Sequence, residues 1–122
     1  MLSESEQTIL EGWEEVYKKS QLTLWILLAL KVAPKHMSEV KVFILDLTNR
    51  TIEVDDKSMY RALRRFEDIG LIEYNLKDNF SGPKQKVYRL SMSGVNVLKT
   101  FIDRNINGIF LREDIRRLLN ED

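Results

Sequence analysis

Four basic residues recur at short spacing in one stretch of this chain: Lys57, Arg61, Arg64 and Arg65. Wound at about 100° per residue, the stretch Lys57–Ile69 sorts into two sides. Met59, Ala62, Leu63 and Phe66 gather on one, while Lys57, Arg61 and Arg64 gather on the other, with Arg65 at the edge and Asp68 among the bases. An apolar back and a cationic front is the division needed by a helix that enters the major groove of a duplex. Arginine can bond guanine through two parallel N–H groups, and lysine serves phosphates as a point charge. A solvated helix on any protein surface can carry the same charges, so the face alone does not decide the matter. A second cationic group follows directly, with Lys84, Lys86 and Arg89 on the tip and returning strand of a hairpin over Lys77–Arg89. Such a hairpin is placed to straddle the neighbouring backbone or minor groove.

The charge distribution points the same way, although the net charge is zero. Residues 57–89 hold eight basic residues against four acidic ones, a surplus of four. Residues 1–20 hold five glutamates against two lysines, a deficit of three. A positive field gathered in one segment steers a polyanion toward it.

Elements that would hold these groups can be read from periodicity and stop signals. Ile9, Leu10, Trp13, Val16 and Tyr17 predict a helix over about Ser5–Lys18, capped by Ser3 or Ser5. Ser20 reads as the cap of a second helix reaching Val32, apolar on nearly every side, and Pro34 stops it. Ser38 reads as the start of a third, with Val40, Phe43, Ile44 and Leu47 inward and Asn49 as its end. Thr51–Val54 is a brief β-prone run. Asp55 or Asp56 caps the cationic helix, which Gly70 ends. Strands over Leu71–Lys77 and Gln85–Leu90 flank a turn at residues 78–83. Ser91 or Ser93 then caps a helix with Val95, Val97, Leu98, Phe101 and Ile102. Asn107-Gly108 reads as a break before a last amphipathic stretch with Leu111, Ile115, Leu118 and Leu119.

The fold expected is therefore mainly α with a small β-hairpin wing: a winged helix-turn-helix with added N- and C-terminal helices. It is expected to form one domain over 1–122: an N-terminal helix (1–20), a winged-helix core (21–91) and a C-terminal helical dimerisation segment (92–122). A helix apolar all round needs covering, which suggests a homodimer.

The motif residues also resemble a known family. Ser58-Met59-Tyr60-Arg61-Ala62-Leu63-Arg64-Arg65-Phe66-Glu67-Asp68-Ile69-Gly70-Leu71-Ile72 looks like the recognition helix of PadR-type transcriptional regulators. Ser81-Gly82-Pro83-Lys84-Gln85-Lys86-Val87-Tyr88-Arg89-Leu90-Ser91 is similar to that family's wing, which closes on Tyr-Arg-Leu-Thr, with Gly94 following in place. The resemblance spans roughly Leu22–Phe101 and departs from the family's His-Gly-Tyr, where this chain has Lys35-His36-Met37-Ser38-Glu39-Val40. It implies a homodimer formed through the first and last helices, usually a repressor, and carries over Tyr60 as a contact to the DNA backbone, with an aromatic flanking the core as its plainer role; Ser58 of the same helix is counted among the DNA-binding residues. Some relatives stack planar aromatic compounds at the dimer interface, which makes Trp13 and Trp25 candidates for an effector pocket, with packing as the plainer role.

Other chemistries find little support. The chain has no cysteine, no glycine-rich phosphate loop and no Ser-His-Asp grouping, so neither enzyme activity nor a cofactor is expected. A single histidine, His36, reads as an exposed loop residue, and Asp55 and Asp56 read as a cap, so no metal is expected. The longest apolar stretch, Leu22–Ala33, is about a dozen residues against the roughly 20 a membrane span needs. A soluble, cytoplasmic protein is expected, binding double-stranded DNA as a sequence-specific regulator. The alternative from another class is a winged-helix module that binds protein, or a ligand sensor without direct DNA contact.

Overall fold

A computed structural model describes residues 1–121. Its first element, α1, runs from Glu4 to Val32 without interruption. Ser3 caps it in a reciprocal box: the Glu6 N–H donates to Ser3 Oγ at 3.2 Å, and the Ser3 N–H donates to Glu6 Oε1 at 2.9 Å. The expected break at Ser20, and with it a separate helix over 1–20, is not there. Ser20 turns its hydroxyl back onto the Tyr17 carbonyl at 2.6 Å, so it is satisfied inside the helix and releases no chain end. Pro34 does stop the helix, with Ala33 driven to extended backbone as a residue before proline must be.

The helix α2 spans Met37–Leu47, and its cap is His36 rather than Ser38. The Glu39 N–H donates to His36 Nδ1 at 3.4 Å and the Glu39 carboxylate accepts the His36 N–H at 3.1 Å. His36 is thus structural, and not the exposed loop residue its Pro-Lys context suggested. After α2 the chain passes through Asn49 and Arg50 at φ 54° and 63°. Residues 51–54 pair with no strand, contrary to their β-prone composition. They send Ile52 and Val54 into the core.

The next helix, α3, spans Asp56–Asp68, capped by Asp55, whose Oδ1 accepts the Ser58 N–H at 2.7 Å. Gly70 takes φ 80° beyond its C-terminus. The Gly70 N–H donates to Glu67 O and the Leu71 N–H to Phe66 O, closing the helix in a Schellman turn. Strands β1 (Ile72–Asn79) and β2 (Gly82–Leu90) follow as an antiparallel hairpin, with Tyr74 opposite Tyr88 and Leu76 opposite Lys86. Pairing extends to Asn79 and Gly82, so the tip is shorter than the expected 78–83 turn. A single-residue third rung joins them: Lys35 exchanges two backbone bonds with Tyr88, at 2.9 and 2.8 Å.

Ser91 caps α4 (Met92–Ile102) and ties it to the α3–β1 junction, its hydroxyl donating to Gly70 O at 2.6 Å and accepting the Gly94 N–H at 3.0 Å. The expected break at Asn107-Gly108 is bridged. A π-helical turn, Asp103–Asn107, continues α4 into α5 (Gly108–Phe110), the Gly108 N–H reaching back to Asp103 O. The chain leaves the helical path only at Leu111-Arg112, before α6 (Glu113–Asn120). The core lies where α1's last turns, α2, α3 and the hairpin meet, around the fully buried Ile26, Val40, Ile44, Met59 and Leu63. No helix among the described residues is long and apolar enough to cross a membrane.

Candidate nucleic-acid interface

The division of α3 predicted from periodicity is the one observed. Met59, Ala62, Leu63 and Phe66 are buried, while Lys57, Tyr60, Arg61, Arg64 and Arg65 are exposed. Burying four apolar side chains holds the helix by its back, at about 1.5–3 kcal/mol for each large one. Lys57, Arg61 and Arg64 form no ion pair among the described residues, so their charge faces outward unspent. With Met37, Asp56 and Tyr60 they line one shallow groove between α3 and the start of α2. Asp56, the one acid in that groove, is neutralised by Lys41 of α2. Arg65 lies at the margin, its guanidinium 5.3 Å from the Phe66 ring.

Ser58 is half-buried, and its hydroxyl donates to Asp55 Oδ2 at 3.0 Å. It completes the cap of α3 and is committed there. The same two bonds from Ser58 favour the charged form of Asp55 and hold its carboxyl below the usual aspartate range.

The wing's bases are placed differently from those of α3. Lys86 lies 3.3 Å from the Glu67 carboxylate of α3 and 4.2 Å from the Tyr74 ring centroid. Arg89 pairs with Glu73 across the hairpin at 3.1 Å, and Lys84 approaches Asp78 at 3.9 Å. Lys86 therefore acts first as a strap between wing and helix. A second groove, lined by His36, Met37, Ser38, Tyr60, Gln85, Lys86 and Tyr88, runs between α2, α3 and the wing. Tyr60 belongs to both grooves. Tyr88 is buried under this surface, and its phenol is pushed up to about 12 by loss of solvent and by the charge of Glu67.

Lys41, Met37 and Ser38 belong to this surface, but nothing in the sequence assigned them to it, because only the packing of α2 against α3 brings them there. Trp13 and Trp25 are not brought together. Twelve residues of one helix separate them by about 18 Å; Trp13 is 72% exposed, while Trp25 is half-buried. Trp25 Nε1 is a buried donor without a partner among the described residues.

A family model, that of the PadR-like transcriptional regulators, matches residues 26–100. The chain belongs to the PadR-like family. The match takes in the last turns of α1, the two grooves, the hairpin and most of α4 of this PadR-like protein. Solved structures of similar fold include a PadR-like transcriptional regulator from Bacillus cereus, at 25% identity and TM-score 0.67, covering 85% of this chain and 96% of that one. A PadR family regulator from Eggerthella lenta has TM-score 0.70 at 19% identity, covering 98% of this chain and all of the other (100%). Bacillus subtilis PadR in complex with operator DNA has TM-score 0.61 at 18% identity, over 66% of this chain and 46% of that one. No curated protein sequence matches significantly.

Proposed function

We propose that this PadR-like transcriptional regulator binds double-stranded DNA sequence-specifically in the cytoplasm as a homodimeric repressor, with α3 in the major groove and the wing beside it. The observation that carries the reading is the α3 face: three unpaired cations opposite a fully packed apolar back, with the groove acid already neutralised by Lys41. The operator-bound relative supports it by fold. In this reading Arg61 and Arg64 read base edges, Lys57 and Tyr60 take phosphates, and Arg65 contributes from the margin. Ser58 acts by fixing the cap, and Lys84, Lys86 and Arg89 add wing charge.

Dimerisation is supported by uncovered apolar residues at both ends of the chain: Ile9, Trp13, Val16 and Tyr17 on α1, Leu118 and Leu119 on α6. Two recognition helices would then meet half-sites about one helical turn, roughly 34 Å, apart. A planar aromatic effector would bind at that interface against Trp13 or Trp25, and titrating such compounds against tryptophan fluorescence tests it. Sedimentation showing a monomer at micromolar concentration would overturn the dimer.

The central test starts with duplexes selected from a random pool. Arg61→Ala/Arg64→Ala should weaken binding to the selected duplex and relax its sequence preference, and Lys57→Ala should lower the salt slope by about one counter-ion. Unchanged affinity and sequence preference in the double arginine variant would rule out α3 as the reading element. The ion-paired wing favours one other reading, a protein-binding winged helix, which predicts no duplex binding even at low salt.

A further inference from the structure

The most exposed large hydrophobic side chain after Met1, among the described residues, is Phe80, at 113% of its reference area. It stands at the tip of the hairpin. Asn79 pairs with Gly82, so only Phe80 and Ser81 make the turn. That turn is built: Asn79 Oδ1 accepts both the Ser81 N–H, at 3.4 Å, and the Ser81 hydroxyl, at 3.3 Å. Phe80 thus sits on a braced point with no neighbour of its own chain to cover it.

Two further observations say what it meets. The first is charge. Lys77 precedes the tip, Lys84 and Lys86 follow it, and Asp78 is the only acid among residues 77–86. An apolar protein surface offers nothing to such a flank, whereas a polyphosphate backbone does. The second is reach. The Lys86–Glu67 strap fixes the Leu76–Lys86 rung of the wing to α3. From that rung the chain advances four residues to Phe80, about 13 Å at the rise of a strand. With α3 in a major groove, that length carries the tip across the bordering backbone to the adjoining minor groove, about 6 Å wide. A two-residue turn with one aromatic ring is narrow enough to enter.

We propose that Phe80 is a minor-groove wedge, pressing its ring into a base step beside the site read by α3 and partly unstacking it. Lys77 and Lys84 take the phosphates on either side. Proteins that insert apolar side chains this way kink the duplex and prefer steps that unstack readily, such as TA and CA. The wing would thereby select sequence by deformability, at a position where no hydrogen bond is made. This rests on the placement of α3 proposed above.

The experiment uses the full chain and a selected duplex carrying 2-aminopurine at successive steps outside the α3 half-site. This base brightens when it unstacks. Wild type should raise its emission severalfold at one step and favour TA or CA there. Phe80→Ala should abolish the brightening and weaken binding about 5- to 150-fold, the range of one aromatic–base stack. Its salt slope and melting temperature should stay unchanged, because the side chain touches neither phosphate nor core. Phe80→Leu should restore part of the signal. Equal affinity and equal emission for Phe80→Ala and wild type would overturn the wedge while leaving α3 intact. An effect of Phe80→Ala with none of Arg61→Ala/Arg64→Ala would instead overturn the placement of α3. No duplex binding by wild type at low salt would overturn both.

Discussion

Gly94 offers the sharpest test of how the wing is mounted. A Cβ built there would lie 2.1 Å from the Leu71 carbonyl oxygen and 3.3 Å from Leu90 Cδ2. Tolerable contact begins near 3.0 Å, so Gly94→Ala forces α4 and the α3–β1 junction apart by about 1 Å. The same movement stretches the Ser91 N–H to Leu71 O bond, now 3.0 Å, and the Ser91 hydroxyl to Gly70 O bond, now 2.6 Å. Overpacking costs about 1–3 kcal/mol and each weakened bond up to about 1. A loss of about 2–4 kcal/mol follows, or roughly 8–16 °C in Tm for a chain of this size. Gly70, one residue before Leu71, provides the control. Its φ is 80° and open space surrounds it, so Gly70→Ala carries only the left-handed penalty, about 1 kcal/mol and about 4 °C. Thermal melts followed by far-UV circular dichroism rank the two. A Gly94→Ala variant melting within 3 °C of wild type, or above Gly70→Ala, would refute the steric reasoning.

Three further outcomes are expected. In a double-mutant cycle of Glu67→Gln and Lys86→Met, the coupling should be about 1 kcal/mol, since Glu67 is only 16% exposed; additive single effects would remove the strap. Asp55 has its folded carboxyl below the unfolded value of 3.8, so its contribution is present above about pH 4 and fades as pH falls through the folded value. Asp55→Asn should keep the cap but flatten this acid dependence, and urea melts between about pH 3 and 6, which brackets the ordinary carboxylate range, measure it. For Tyr88 the sign is reversed: its folded phenol sits at about 12 against 10.0 unfolded, so its contribution is whole below pH 10 and is lost on rising toward 12. Absorbance at the phenolate band should show Tyr88→Phe deleting the last tyrosine to ionise.

Much of this architecture could be read from the chain because its signals were local. Asp55, Ser91 and Gly70 each act within three residues, and the α3 back of Met59, Ala62, Leu63 and Phe66 is a periodic pattern. Ser20 misled because a serine that caps a helix and one that bonds back to the preceding turn look alike in sequence; Tyr17 O decides between them. His36 was missed because imidazole is an uncommon cap and Ser38 satisfied the usual rule two residues later. Candidate-site charges were over-read for a different reason. Glu67 is nineteen residues from Lys86, and Asp56 is fifteen from Lys41, so only tertiary packing tells which cations are engaged. The Lys35–Tyr88 rung, which seats the wing on the end of α1, spans still more of the chain and had no local trace.

The unbroken α1 has a consequence for motion. Its buried residues, Ile26, Leu27, Ala29 and Leu30, all lie in its last two turns, while the helix extends about 43 Å in all. Amides near them are released to solvent only when the core opens. Those before Ser20 are guarded by little more than helix–coil opening, which is cheap for a solitary segment of this length. Deuterium uptake along this one continuous helix should therefore step sharply near Ser20, although no break marks the place. A second subunit laid against Ile9, Trp13, Val16 and Tyr17 would push that step toward Ser3, so the uptake profile, followed against protein concentration, would trace how far the covering reaches.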